Sequence, residues 1–253
     1  MKKSEKTNRA KPTNLSWVDN FPKCAELFSN AGWLTFFKRI DGYHAEVSHK
    51  FAQCFEKDIV SFDTLQFKIT KELIAEATSI LNEGELWFKK VPFTFNAQKY
   101  LLPGVIADWG KGVPIHNFKP EWIEPIKVLQ SYITCEGRYA FVFKYHYRFL
   151  QHLSDESKMN LPFFFLKSLQ KMSCRVKEHQ NHTKQSIFHH GLIKLIINTV
   201  LQSRGKTWEY FLFWSGFQNG QEGQSLRRQD DKGQTLIRKL RQKVKVKEED
   251  RLN

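Results

Sequence analysis

The sequence predicts a mainly α protein: a single helical domain with one small β hairpin and basic termini expected to be disordered. Three observations predict it. Apolar residues recur at helical spacing through most of the chain, the clearest alternation lies near residues 59 to 69, and cationic side chains crowd into the two ends. Residues 1 to 14 hold five Lys or Arg against one Glu, and residues 225 to 253 hold ten against five Asp or Glu, so the ends carry +4 and +5 of the net +14. The 22 Phe and 7 Trp predict a thickly aromatic interior for the part between them, because each such ring buries a large area.

Residues 1–15 read as a basic arm. Lys2, Lys3, Lys6, Arg9 and Lys11 alternate with small polar residues, which bury too little to offset chain entropy. The helical domain is expected over 16–217, opening with Ser16 as a helix cap. Leu27, Phe28, Leu34, Phe36 and Phe37 follow on two short helices separated at Asn30 and Gly32. Val47, Phe51 and Phe55, four apart, predict a third helix from Ala45 to Phe55. Val60, Phe62, Leu65, Phe67 and Ile69 then alternate with polar neighbours, which predicts the hairpin. Thr70 stands as the cap of a helix carrying Leu73, Ile74, Ala77 and Ile80.

Beyond Gly84, Pro92, Pro103, Gly104, Gly110, Gly112 and Pro114 predict a long irregular connection. Pro120 opens a helix with Trp122, Ile126, Leu129 and Ile133 on one face, with Pro125 as a kink and Gly137 as the stop. Arg138 to Leu153 reads as a centrally placed aromatic helix. Another begins at Asn160 and Pro162 with Phe163, Leu166, Leu169, Met172 and Val176 in step. A polar loop over Lys177 to Gln185 leads to a helix from His190 to Gln202, with Leu192, Leu195, Ile196, Thr199 and Val200 inward. Trp208 to Phe217 is the last apolar stretch, and 218–253 reads as a basic low-complexity tail.

The candidate chemistry is thin. His179, His182, His189 and His190 cluster after Cys174, yet no Cys pair or zinc-knuckle spacing accompanies them, which favours a solvated polar loop and no metal. Glu72 and Glu76, four apart, suit a helix surface better than a shared divalent ion. Gly110, Lys111 and Gly112 lack the rest of a phosphate cradle, and no nucleophile elbow occurs. Cys24, Cys54, Cys135 and Cys174 are scattered as buried thiols are, with no disulfide framework. Trp87 and Phe88, flanked by Lys89 and Lys90, suit base stacking or core packing, and core packing is favoured. No cofactor is expected.

The binding signal is electrostatic. Arg227, Arg228, Arg238, Lys239, Arg241, Lys243, Lys245 and Lys247 are the candidate nucleic-acid-binding residues, since Lys and Arg gain by releasing counterions condensed on a phosphate backbone. Leu236, Leu240 and Val244 recur every four residues among them, the spacing of a narrow amphipathic helix that orders on binding. A solubilising end is the competing reading. Met1 to Lys11 lacks a signal-peptide core and no apolar run reaches membrane length, so a nuclear or cytoplasmic location without a membrane partner is expected.

Several blocks carry a resemblance. Phe67-Lys68-Ile69-Thr70-Lys71-Glu72-Leu73-Ile74-Ala75-Glu76-Ala77-Thr78 and Gly84-Glu85-Leu86-Trp87-Phe88-Lys89 resemble plant proteins of transposon or retroelement origin. So do Lys119-Pro120-Glu121-Trp122, Tyr132 to Arg138, Asn160-Leu161-Pro162-Phe163 and Phe188 to Lys194, a span of roughly residues 40 to 215. The set is similar in its strand-to-helix element to plant mobile-domain proteins. It implies no catalytic residues. Where such proteins tend to read Ala-Thr-Gly-Leu-Pro, this chain has Ala77, Thr78, Ser79, Ile80 and Leu81, so the usual helix stop is missing. The function expected is that of a transposable-element-derived, non-enzymatic protein associated with DNA or RNA through its tail. The alternatives are a gag-like module that self-associates into homo-oligomers and an inactive nuclease or transposase remnant.

Overall fold

The computed structural model describes residues 21–215 except 41, 43, 63, 89–95, 109, 136–139, 155–157, 179–186 and 188. The basic arm and the basic tail both lie outside the described residues. The architecture is mainly α, with a small antiparallel sheet, as the apolar spacing predicts.

The first two helices are α1 (Pro22–Asn30) and α2 (Leu34–Arg39). Their junction is a Schellman turn: Trp33 N–H reaches Phe28 O at 2.8 Å and Gly32 N–H reaches Ser29 O at 2.9 Å. Gly32 takes φ +73°, a conformation glycine adopts without cost, and the turn seats Trp33 against Phe28. Ser16, the expected opening cap, lies outside the described residues; α1 opens with Pro22 in its first turn.

Helix α3 (Ala45–Cys54) is capped by His44, whose Nδ1 accepts the Val47 N–H at 3.3 Å. It runs directly into a meander of β1 (Phe55–Glu56), β2 (Ile59–Ser61) and β3 (Gln66–Lys68). Phe55, Val60 and Phe67 pair across the strands as a buried row, and Glu56, Ile59 and Lys68 form the exposed row. The third strand is an addition to the expected hairpin. Its two-residue turn places Lys57 (φ 47°) and Asp58 (φ 69°) both in the left-handed region, where Asn-Gly or Asp-Gly would ordinarily announce it.

Helix α4 (Lys71–Thr78) starts as expected, with Thr70 Oγ1 accepting the Leu73 N–H at 3.2 Å. It stops at Ser79, which itself adopts φ 59°, and Arg39 donates to its hydroxyl and to Glu76 O. The described residues of the connection that follows are irregular, relieved by a 3-10 turn at Ala97–Lys99 and by β4 (Val113–Pro114).

Helix α5 (Pro120–Val128) contains Pro125 and passes into a π turn over Leu129–Thr134. The stop is Cys135, in the left-handed region, and Gly137 lies outside the described residues. The expected helix from Arg138 is corrected. Phe141–Val142 is a strand, β5, with Val142 opposite Val113 and Phe141 opposite Pro114, and α6 begins only at Lys144 and runs to Leu153. Phe141, Phe143 and Tyr145 alternate, a period of two that the aromatic content masks.

The long α7 (Leu161–Glu178) is capped by Asn160, whose Oδ1 accepts the Phe163 N–H at 2.8 Å. Leu169, Met172 and Val176 are buried as expected, but in the first turns the inward residues are Phe164 and Phe165, fully buried, whereas Phe163 and Leu166 are half-buried. Helix α8 (His190–Ser203) buries all five residues expected to point inward, and α9 (Trp208–Trp214) closes the described chain. Helix α4 packs on both α7 and α8, α3 packs on the same pair, and α1 packs on α5 and α6.

Candidate functional site

The eight tail cations, Arg227 through Lys247, lie outside the described residues. The segment leading toward them is described as far as Ser215. Helix α9 turns Phe211 inward, where its ring meets Phe62 edge-on at 5.1 Å, and Ser215 Oγ lies 2.8 Å from Thr64 Oγ1. Thr207 caps the helix by accepting the Tyr210 N–H at 3.2 Å. On the outer side Tyr210 is 42% exposed with Lys206 Nζ 5.0 Å from its ring centre, and Arg204 donates to Gln66 O at 2.6 Å.

A cleft of about 560 Å³ opens on another part of the surface, lined by Leu27, Ala31, Ile80, Leu81, Met159 and polar neighbours. His152 forms part of its wall, stacked on Trp33 at 4.6 Å, with Nδ1 accepting the Met159 N–H at 2.9 Å. That bond fixes the tautomer, since a nitrogen that accepts carries no proton. Beside the cleft, Gly84, Glu85 and Asn160 join two distant segments. Asn160 N–H reaches Glu85 O at 2.9 Å, Asn160 Nδ2 reaches Asn82 Oδ1 at 2.9 Å, and Arg148 forms an ion pair with Glu85. A Cβ on Gly84 would stand 2.8 Å from the Met159 carbonyl carbon, so only glycine allows this approach. The segments at 84–85 and 159–160 therefore meet in space.

The aromatic candidates resolve to core. Trp87 is 4% exposed, stacked on Phe164 at 5.8 Å and edge-on to Phe149, which leaves no face for a base. The histidines are corrected as well. His189 is 4% exposed, with Nε2 2.8 Å from Ser168 Oγ, and His190 is half-buried, its pKa pushed down by desolvation against a weaker opposing bond with Ile187. Neither belongs to a solvated loop; His179 and His182 lie outside the described residues. The Ser168–His189 pair has the spacing of a nucleophile and its base, yet Ser168 is fully enclosed by α7 and its neighbours, so the bond holds α7 to the start of α8. Sequence reasoning missed it, because 21 residues separate the two groups and only the helix packing joins them.

Glu72 and Glu76 are exposed on α4. The Glu72 carboxyl sits below the usual range because its own backbone N–H, then the Thr70 hydroxyl, bond to it. Asp108 Oδ1 accepts the Gly110 and Lys111 N–H groups, which holds its pKa down and makes the 108–112 segment a side-chain-closed turn. All four cysteines are thiols. Only Cys24 is fully buried, its pKa pushed to about 12 by burial and by the Glu124 carboxylate, whereas Cys174 is exposed. Among the described residues no three His, Cys, Asp or Glu converge as a metal set, and no helix is long and apolar enough to cross a membrane. No protein-family model, curated protein or solved structure matches the chain.

Proposed function

We propose that this is a transposable-element-derived protein that associates with DNA or RNA through Arg227, Arg228, Arg238, Lys239, Arg241, Lys243, Lys245 and Lys247, without catalysing a reaction. The observation that carries the reading is the charge distribution: the two ends hold +4 and +5 of the net +14, leaving the far longer middle of the chain with little excess charge. Dense cation of this kind binds phosphate chiefly through counterion release, and so it binds without demanding a shaped pocket. The block resemblance to plant transposon and retroelement products supports the origin, and a nuclear or cytoplasmic location fits a polyanionic partner.

Eight phosphate contacts on a single strand give a slope of log affinity against log salt of about −6. The test measures that slope for the full chain and for a full-length variant with all eight tail cations replaced by Gln. Steep dependence in the first and near-complete loss of binding in the second support the reading. Binding that ignores salt, or survives the replacement unchanged, rejects it.

A further inference from the structure

We propose that the helical body pairs with a second copy of this chain, the apolar tip of the 102–112 loop of each copy seating in the cleft of the other. The inference does not rest on the nucleic-acid reading above. Its first support is the tip. Leu102-Pro103-Gly104-Val105 is a type II turn, closed by the Val105 N–H on Leu102 O at 3.2 Å with Gly104 at φ +79°, and Gln98 Nε2 donates to Val105 O at 2.9 Å. A second closed turn follows, where Gly112 N–H reaches Asp108 O at 3.0 Å. Ile106 stands between the two turns, 90% exposed, and Leu102 at the first is 36% exposed. An aliphatic side chain held out by a loop closed on both sides loses little further freedom on binding.

The second support is the cleft of about 560 Å³, large enough to take a loop tip. Its apolar walls come from the ends of three helices: Leu27 and Ala31 on α1, Ile80 and Leu81 just after α4, and Leu153 on α6. Leu81 is 71% exposed, and no described residue of the 102–112 loop lines the cleft, so the chain does not fill it with its own tip. The third support is charge. Lys158 and Glu83, both exposed, line the cleft, while Asp108 and Lys111, both exposed, follow the tip, so each surface carries one charge of either sign. Such surfaces match when two copies meet. The fourth is position. Tyr100, at the root of the loop, has its hydroxyl 3.3 Å from Oγ of Ser154 in the cleft wall. The loop therefore springs from beside the cleft, the arrangement in which a two-fold axis makes both contacts at once and closes the pair.

The test is sedimentation equilibrium of the full chain, stripped of nucleic acid by nuclease and a high-salt wash and returned to physiological salt, so that no polyanion bridges copies. A concentration-dependent dimer is expected. I106D and L81D, each at an exposed side chain, should weaken it at least about tenfold with an unchanged melting temperature, and K158E should weaken it about threefold. An equimolar mixture of I106D and L81D should form mixed dimers more readily than either variant dimerises alone, because the mixture keeps one intact tip facing one intact cleft. A chain that stays monomeric up to its solubility limit overturns the proposal. So does a dimer that both substitutions leave unchanged, or one that L81D abolishes and I106D does not, which would give the cleft a different occupant. Growth beyond the dimer overturns the reciprocal pairing.

Discussion

The aromatic seam between α6 and α7 and the aromatic edge at α9 use the same side-chain chemistry to opposite ends. In the seam, Trp33, Trp87, Phe149, Phe164 and Phe165 are at most 4% exposed and meet one another edge-on or stacked. At the edge, Phe211 is buried, but Tyr210 next to it lies in solvent under Lys206. Rings enclosed on every side yield stability and nothing else. The α9 ring stays partly exposed beside a cation, so the difference separates the interior of the scaffold from its rim.

The comparison breaks most visibly at Phe164. F164A removes the ring shared by Trp87, Phe149 and Phe165, and should cost about 3–5 kcal/mol in denaturant unfolding, against less than about 1 kcal/mol for Y210A. Equal losses would mean that the edge is also scaffold. The next effect is at the strap beside the seam. G84A forces a Cβ onto the Met159 backbone at φ +98°, and a loss of about 3 kcal/mol is expected, with nucleic-acid affinity of the folded fraction unchanged.

A smaller effect separates the two regions by pH. Burial depresses the His190 pKa, so below about pH 6.5 the unfolded chain binds more protons than the folded one; stability is full above that value and declines as pH falls toward the lowered one. His146 and His152 also accept backbone N–H groups at Nδ1, bonds that only an unprotonated nitrogen makes. A melting temperature that falls between pH 7.5 and 5, less steeply in H190Q, is the expected outcome; one that rises on acidification contradicts it. The smallest effect is a gain. K57G relieves a left-handed lysine in the β1–β2 turn and should stabilise by about 1 kcal/mol, seen as a higher urea midpoint.

What the sequence made legible follows from how local the cause was. Thr70 caps α4 as predicted because an N-cap is a three-residue event, and the α8 face is correct because four apolar residues and Thr199 agree on it. Strand β1 was hidden because Lys57 and Asp58 take positive φ without glycine, and β5 because aromatic content made Arg138 to Leu153 look helical throughout. The histidines were misread for a third reason. Polar neighbours suggested solvent around His189, but Ser168 and Phe165, both on α7, enclose it through packing that no local pattern records.

The central claim is that nucleic acid is held at the cationic end of the chain. The measurement that bears on it most directly is photocrosslinking of a single-stranded oligonucleotide to the full protein, with the crosslinked peptides identified by mass spectrometry. Adducts concentrated in residues 225–253 are the result expected. Adducts spread over the body with none in that segment would contradict the account.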